Sequence, residues 1–273
     1  MSVASFIPVI WAARLLHHLD DMMVARNFYN REYEGEIRDQ GDTVRINQIG
    51  DISIFDYIRN QDMNPPEETT TAAMDLVIDQ AKAFNFQVDD VDAVQVRSPV
   101  MDAAMQRAAM GLSSVEDGFL FGLLDAAATG TNRISVTVST PDEVFATLVQ
   151  LRTIMMRNNV PYGGRVVAMP PEAIALILKD DRFTATGSDN AEDRLRNGLI
   201  GRAVGFDVFE VNNTPDNNIV AGHPIGATFA SQIVQTEAFR MERRFADGVK
   251  GLSVYGALVT RPYTVAVAEI TIA

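Results

Sequence analysis

The sequence predicts a mixed α+β fold. Residues 8–30 carry apolar side chains at helical spacing, whereas residues 42–57 and 74–88 alternate between apolar and polar side chains, as strands do. The closing stretch, FADGVKGLSVYGALVTRPYTVAVAEITIA at 245–273, is typical of two long strands with almost no loop between them. Helices and strands follow one another without an internal repeat or a flexible linker, which favours the α+β class.

Composition excludes several classes of function. The 273 residues could form one large domain or two small ones, and their net charge of −13 argues against a protein that reads nucleic acid through a basic surface. The absence of cysteine excludes disulfides, thiolate nucleophiles and cysteine-based zinc sites. No apolar run reaches the ~20 residues of a membrane span, and the N-terminus lacks the basic region of a signal peptide. We therefore expect a protein made in a cytosol.

The first helix is expected to begin at Pro8 and to run for about five turns, because proline is favoured at the first helical position. Its apolar stripe consists of Trp11, Leu15, Leu19 and Met22 or Met23. The charged, glycine-containing stretch REYEGEIRDQG should end it.

A long β-hairpin is expected next. Its two alternating strands, DTVRINQIGDISIFDY and AMDLVIDQAKAFNFQVDD, flank the proline-containing tip NQDMNPPEETTT. A two-stranded hairpin is marginally stable by itself. The hairpin should therefore lie on something else.

Further helices are signalled by prolines at their first turns. Ser98 and Pro99 should start one helix, and a second helical stretch from Ser114 could continue it, with a break near Gly111. Pro141 should start another helix that buries Val144, Leu148, Leu151 and Met155 on one face. Shorter elements are expected after it, with strands at RVVAM, NIVAG and GATFASQIVQTEAFR and a helix at PPEAIALILKDD. The stretch AEDRLRNGLIGRAVGFDVFEVNN predicts a short helix, a glycine-punctuated turn and a strand.

A search for catalytic, cofactor-binding and metal-binding residues identifies none. His17 and His18 point about 100° apart on a helix and cannot bind one metal from one face, and His223 in AGHPIG is interpreted as a structural loop histidine. Paired acids occur at Asp20–Asp21, Asp89–Asp90 and Asp180–Asp181. The stretch DDVD at 89–92 could hold calcium through oxygen ligands, but it lacks the loop glycine and the spacing of a known calcium motif and is interpreted as an acidic helix start. The glycines of GLIGRAVG lack the spacing of a phosphate-binding loop. We therefore predict a protein that is not an enzyme and needs no cofactor.

Three stretches resemble a known family. TEAFRMERRFADGVKGLSVYGALVTRPYTVAVAEI at 236–270 looks like the closing strands of coat proteins from actinobacterial phages. IPVIWAARLLHHLDDMMVARNFYNREYEGEI at 7–37 resembles their N-terminal arm, and GDTVRINQIGDISIFDY resembles the ascending strand of their extended loop. The chain is thus similar to the major capsid proteins of tailed double-stranded DNA phages, with the Hong Kong 97-type fold.

The resemblance implies an organisation and a function. Residues 1–40 would be the N-terminal arm, 41–88 the extended loop, 89–158 a peripheral domain with a spine helix, 159–225 an axial domain, and 226–273 strands that return to the peripheral domain. Copies would assemble through pentamers and hexamers into an icosahedral shell that encloses double-stranded DNA without reading its sequence. The partners implied are further copies of the chain, a separate scaffolding protein and a portal protein. Residues 41–81 contain no lysine, so no isopeptide cross-link is expected from the loop.

The residues expected at subunit interfaces lie in or near this loop. Ile52, Ile54, Phe55 and Tyr57 are the apolar docking candidates. Arg45 and Arg59 are candidates for ion pairs at interface rims with Glu34, Glu36, Glu67 and Glu68, although all six could equally be solvated loop charges. Two alternatives to a virion shell assembled in a bacterial host cytoplasm stay open: an encapsulin-type compartment shell, and a soluble α+β enzyme with an acidic site at Asp180 or Asp181.

Overall fold

The computed structural model describes residues 23–33, 41–49, 53–60, 62, 65, 71–89, 100–179, 199–241 and 245–272. These residues contain three α-helices, α1 (Val100–Ala127), α2 (Pro141–Arg157) and α3 (Pro171–Ile177). They also contain eleven strands, which are β1 (Thr43–Ile49), β2 (Thr71–Val77), β3 (Gln80–Asp89), β4 (Arg133–Val138), β5 (Val166–Met169), β6 (Leu199–Ala203), β7 (Phe206–Glu210), β8 (Ile219–Gly222), β9 (Ala227–Arg240), β10 (Ala246–Val259) and β11 (Ala266–Ile272). The predicted α+β class is confirmed.

The larger sheet has six strands in the order β4-β11-β8-β5-β7-β6. Strands β4, β11, β5 and β7 run in one direction, and β8 and β6 run against them. Helices α2 and α3 cover this sheet, and their buried side chains share one apolar core with Val167, Val208 and Ala268. On α2 the buried face contains Val144, Leu148, Leu151 and Met155, as the helical spacing predicts.

Helix α2 begins where the sequence predicts because Thr140 and Glu143 form a capping box around Pro141. The Glu143 carboxylate accepts the backbone N–H groups of Ser139 (2.7 Å) and Thr140 (2.9 Å). These hydrogen bonds favour the ionised form and hold the pKa of Glu143 below its usual value. The hydrogen bonds of the capping box all lie within five residues, so this boundary follows from the local sequence.

The smaller sheet has three strands in the order β3-β10-β9 and is covered on both faces. Helix α1 covers one face, where Met105 and Ala109 pack with Val249. The base of the two-stranded β1–β2 ribbon covers the other face, where Leu76 and Ile78 pack with Val254 and other apolar residues. The hairpin was expected to lie on another surface, and its base lies on the smaller sheet of its own chain.

The hairpin is shorter than the sequence pattern predicts. We expected one alternating strand over 74–88, but β2 ends at Val77 and pairs with β1, whereas β3 begins at Gln80 and pairs with β10. The change of partner occurs where the chain passes over Gly256. A Cβ at Gly256 would lie 2.2 Å from the carbonyl oxygen of Val77, so the two backbones approach too closely for any side chain there.

Helix α1 is continuous over its 28 residues, and the break expected near Gly111 is not present. A helical glycine costs about 1 kcal/mol relative to alanine. Burial of Leu112, Leu120, Phe121 and Leu124 on one face of the helix outweighs that cost. Of the described helices, none is both long and apolar enough to cross a membrane.

The two closing strands form as predicted, but they do not pair with each other. Strand β10 pairs with β9 and β3, and β11 instead inserts between β4 and β8 in the larger sheet. A turn at Pro262–Thr264 redirects the chain between them. These two strands therefore connect the smaller sheet to the larger one.

The segment Met23–Asn30 is built into the core between α1 and β9. Ala25 and Phe28 are fully buried, and the Tyr29 hydroxyl donates a hydrogen bond of 2.7 Å to the carbonyl oxygen of Leu120. Within the helix expected over 8–30, residues 8–22 lie outside the described residues, and Ala25–Phe28 form a single 3₁₀ turn. His17, His18 and the acids at 20–21 and 180–181 also lie outside them.

Candidate subunit interface

A cluster of exposed apolar side chains lies in residues 53–60, between the two strands of the ribbon, and includes Ile54, the most exposed large apolar side chain of the described residues. Ile54 is 98% exposed, Tyr57 72%, Ile58 57% and Phe55 46%. No strand or helix forms in this segment. Four large apolar side chains within five residues are unusual on the surface of a monomer and mark an interaction site.

The ribbon holds this segment away from the core. Its register runs from Thr43 opposite Val77 at the base to Ile49 opposite Thr71 at the far end. Val44 and Ile46 are buried at the base, whereas residues 53–60 follow the far end. The ribbon therefore has an anchored base and an apolar tip, which we call the ribbon tip (residues 53–60).

The charged candidates are placed differently from one another. Arg45 lies opposite Asp75 on the neighbouring strand and forms an ion pair of 3.5 Å with it, with both side chains more than half exposed. Arg59 lies in the ribbon tip and is exposed. The other candidates, Ile52, Glu34, Glu36, Glu67 and Glu68, lie outside the described residues. A role for any of them between subunits stays a prediction.

A second surface, which the sequence reasoning missed, is the outer face of α1. Gly111, Gly118 and Gly122 lie in this helix, and a Cβ at any of them would meet no described atom within 4 Å. The exposed Met110 and Val115 lie beside them. Glycine costs stability in a helix, and the described packing of the chain does not require it at these positions. The signal available in the sequence was the G-x₆-G-x₃-G spacing within a helical pattern.

The remaining histidine candidate has a structural role. The His223 Nδ1 atom accepts the backbone N–H of Ile225 (3.1 Å), and Nε2 lies 2.7 Å from the carbonyl oxygen of Gly163. Both ring nitrogens are thus engaged by the backbone, in agreement with its interpretation as a loop histidine. Among the described residues no three His, Asp or Glu side chains lie close enough to hold a metal ion.

Comparison with known proteins gives a consistent answer. The family model described as "Phage capsid protein" matches residues 73–268. A solved structure from Mycobacterium phage Che8 is 31% identical, covers 90% of both chains and superposes with a TM-score of 0.68. The capsid structure of the cyanophage P-SCSP1u is 14% identical over 87% of this chain and 85% of that one, with a TM-score of 0.66.

A virus-like particle from Pyrococcus furiosus shares the fold at 11% identity, covering 95% of this chain and 97% of that one, with a TM-score of 0.55. No curated protein matches the chain. The family model spans most of the chain, and the Che8 structure shares nearly a third of its residues over almost the full length. The chain belongs to the phage capsid protein family and is a major capsid protein of the Hong Kong 97 type.

Proposed function

We propose that copies of this capsid protein assemble through pentamers and hexamers into an icosahedral shell, and that the ribbon tip of each copy docks on a neighbouring subunit. The observation that carries this proposal is the exposure of Ile54 and Tyr57 at the end of an anchored ribbon. Burial of a large apolar side chain contributes about 1.5–3 kcal/mol. A contact that is repeated in every subunit would supply much of the cohesion of the shell.

The outer face of α1 in the neighbour is the docking surface that we propose for the tip. Its open glycines allow a peptide backbone to approach closely, and Met110 and Val115 supply apolar contacts. Both surfaces are exposed in the single subunit, so their mutual burial would remove apolar area from water on both sides. The ion pairs proposed for Arg59 with acids near the loop would then lie at the rim of this contact.

The domain boundaries that we propose depart from those expected from the sequence. Residues up to about 40 form the arm and residues 41–79 the extended loop. The peripheral domain consists of β3, α1, β9 and β10, and the axial domain of the larger sheet with α2 and α3. This division is supported by the two separate sheets and by the apolar core that α2 and α3 share with the larger sheet alone.

The proposed contents of the shell follow from charge. A subunit with a net charge of −13 offers little attraction to phosphate, which suits a wall that must let double-stranded DNA enter and leave. A separate scaffolding protein and a portal protein would guide assembly in the bacterial cytoplasm, and the finished protein would reside in the virion. A compartment shell that holds an enzyme cargo is the alternative within the same fold; gene neighbours that encode a portal and terminase, instead of a cargo, distinguish the two.

Electron microscopy of the purified protein, with and without its scaffolding partner, tests the proposal. We expect closed shells or five- and six-fold capsomers. The double variant Ile54→Asp/Tyr57→Asp should abolish shells while leaving the fold intact, because both side chains are exposed in the subunit. Val149→Asp, at an exposed apolar position on α2, is the matched control. Normal shells from the double variant would contradict docking by the tip, and a wild-type protein that never assembles would contradict the shell itself.

A further inference from the structure

Three loops that are distant in sequence meet at one end of the strands of the larger sheet. They are residues 158–165, 223–226 and 260–265, and they adjoin the paired ends of β5, β8 and β11. His223 links the first two loops through Gly163, and the carbonyl oxygen of Gly226 accepts the backbone N–H groups of Thr260 and Arg261, both at 2.9 Å. The Asn158 side chain donates to the carbonyl oxygen of Tyr263 at 2.8 Å and closes the set. The three loops therefore form one preorganised surface.

The side chain of Arg165 holds the first of these loops, residues 158–165, through hydrogen bonds to its backbone. The side chain is buried, and its guanidinium donates to the carbonyl oxygens of Pro161 (2.8 Å) and Val160. The same guanidinium lies 5.0 Å from the ring centroid of Tyr162. This contact holds an exposed aromatic ring in one orientation, which lowers the entropy that a binding partner must offset.

The surface has the composition of a protein–protein interface. Its exposed side chains, which we call the loop edge, are Pro161, Tyr162, Ile225, Pro262 and Tyr263. Tyr162 is 66% exposed and Tyr263 47%. The three loops contain no acidic residue, although the chain has 36, and of their two arginines Arg165 is buried whereas Arg261 is partly exposed. Tyrosine and arginine are enriched at the centres of interfaces, and the charge of this surface suits an acidic partner.

An acidic surface lies at the opposite end of the strands of the same sheet. Met169, the last residue of β5, pairs with Glu210, the last residue of β7, and Glu172 lies in the first turn of α3 directly afterwards. Asp216 lies in the turn that precedes β8. Glu172, Glu210 and Asp216 are all exposed, and we call them the acidic edge. The chain thus carries two surfaces of complementary charge at opposite ends of the strands of one sheet.

We propose that the loop edge of one subunit binds the acidic edge of a second copy of this chain, so that the subunits of a capsomer contact head to tail. A contact between two different surfaces of the same chain propagates from copy to copy and closes into a ring when the rotation per subunit allows it. The two tyrosine hydroxyls can donate hydrogen bonds to the carboxylates, and Arg261 adds the opposite charge. The proposal rests on the proposed capsomer function and assigns the surfaces that would form the ring.

Site-specific cross-linking tests the contact directly, because the chain has no cysteine of its own. In the double variant Tyr162→Cys/Glu210→Cys, the first position precedes β5 and the second lies opposite Met169, the last residue of β5. The three residue steps from Val166 to Met169 alone span about 10 Å. The pair is too far apart for a disulfide within one chain. Assembled protein treated with a short bis-maleimide should give a denaturing-gel ladder of dimers, trimers and higher species up to a closed ring. The single variants should give no ladder, and neither should the matched pair Val149→Cys/Glu210→Cys.

A second experiment tests whether the charge of the acidic edge contributes to this contact. Glu172→Lys/Glu210→Lys should raise the protein concentration needed for assembly at least about tenfold. The variant should lower the melting temperature only slightly, because both side chains are exposed and the subunit loses only the favourable charge of Glu172 in the first turn of α3. Wild-type shells accompanied by no ladder and by normal assembly of the charge variant would overturn this contact and leave the shell function standing. A wild-type protein that forms neither shells nor capsomers, with or without scaffold, would instead overturn the proposed function together with this contact.

Discussion

The carboxylate of Asp117 on α1 accepts the backbone N–H of Ala25 at 3.0 Å, across 92 positions of the sequence. Its other oxygen accepts the N–H of Val24 at 3.3 Å. Both oxygens thus cap the start of the 3₁₀ turn Ala25–Phe28 and fasten the end of the N-terminal segment to the longest helix. Asp117 is buried, and burial disfavours the ionised form of the carboxyl group that accepts these two hydrogen bonds.

Burial raises the pKa of Asp117 to about 6, although the two backbone hydrogen bonds and the charge of Arg26 act to lower it. A carboxyl group whose pKa is raised by folding stabilises the native state fully below its unfolded pKa, and this contribution is lost as the pH rises through the folded pKa. We therefore expect the contribution to decline by up to about 3 kcal/mol between pH 4 and pH 7. Urea unfolding of wild type and Asp117→Asn across this range measures it as a difference that changes with pH, and a difference that stays constant would contradict the assignment.

Gly256 should not tolerate a side chain. A Cβ there would lie 2.2 Å from the carbonyl oxygen of Val77, where the chain leaves the ribbon for the smaller sheet. We expect Gly256→Ala to lower the free energy of unfolding by about 1–3 kcal/mol, the usual range for overpacking. Chemical denaturation of the unassembled subunit measures this loss. A variant as stable as wild type would show that the crossing can shift without cost.

The helical glycines should respond in the opposite direction. Gly118 and Gly122 face open space in the subunit. Gly118→Ala and Gly122→Ala should therefore each raise the free energy of unfolding of the subunit by about 0.5–1 kcal/mol. If the outer face of α1 receives a neighbour's ribbon tip, the same variants should assemble less readily than wild type. Melting temperature and the concentration required for assembly are measured on the same samples. Unchanged assembly by the more stable variants would argue against this docking surface.

Arg133 on β4 connects this strand to α1 and β11, and even a conservative replacement should destabilise the protein. Its guanidinium donates to the side chain (3.0 Å) and the carbonyl oxygen (2.9 Å) of Asp125 near the end of α1, and to Glu269 on β11. Lysine cannot reproduce this forked geometry, so Arg133→Lys should cost about 1 kcal/mol of stability. Arg45→Lys is the control, because the exposed Arg45–Asp75 pair should contribute little. Equal losses from the two variants, measured by denaturation, would contradict a special role for Arg133.

Local signals in the sequence determined much of this protein. The boundary at Pro141 and the buried face of α2 follow from a capping box and from helical spacing, both of which act within a few residues. The alternation of β1 and the apolar character of Ile54 and Tyr57 were equally visible. Residues 236–270, with their closing-strand pattern, carried most of the resemblance to the capsid protein family.

Pairing over long distances was decided only by the tertiary structure. The alternation of residues 74–88 looks continuous, because strand periodicity does not reveal which partner a strand chooses; the close approach at Gly256 divides it. For the same reason β10 and β11, although neighbours in sequence, enter different sheets. The loop edge brings together Tyr162, Ile225 and Tyr263 from three separate loops, and no spacing rule connects them. Spacing in the sequence reports the face of a single element, whereas a surface shared by several elements exists only after the sheets have formed.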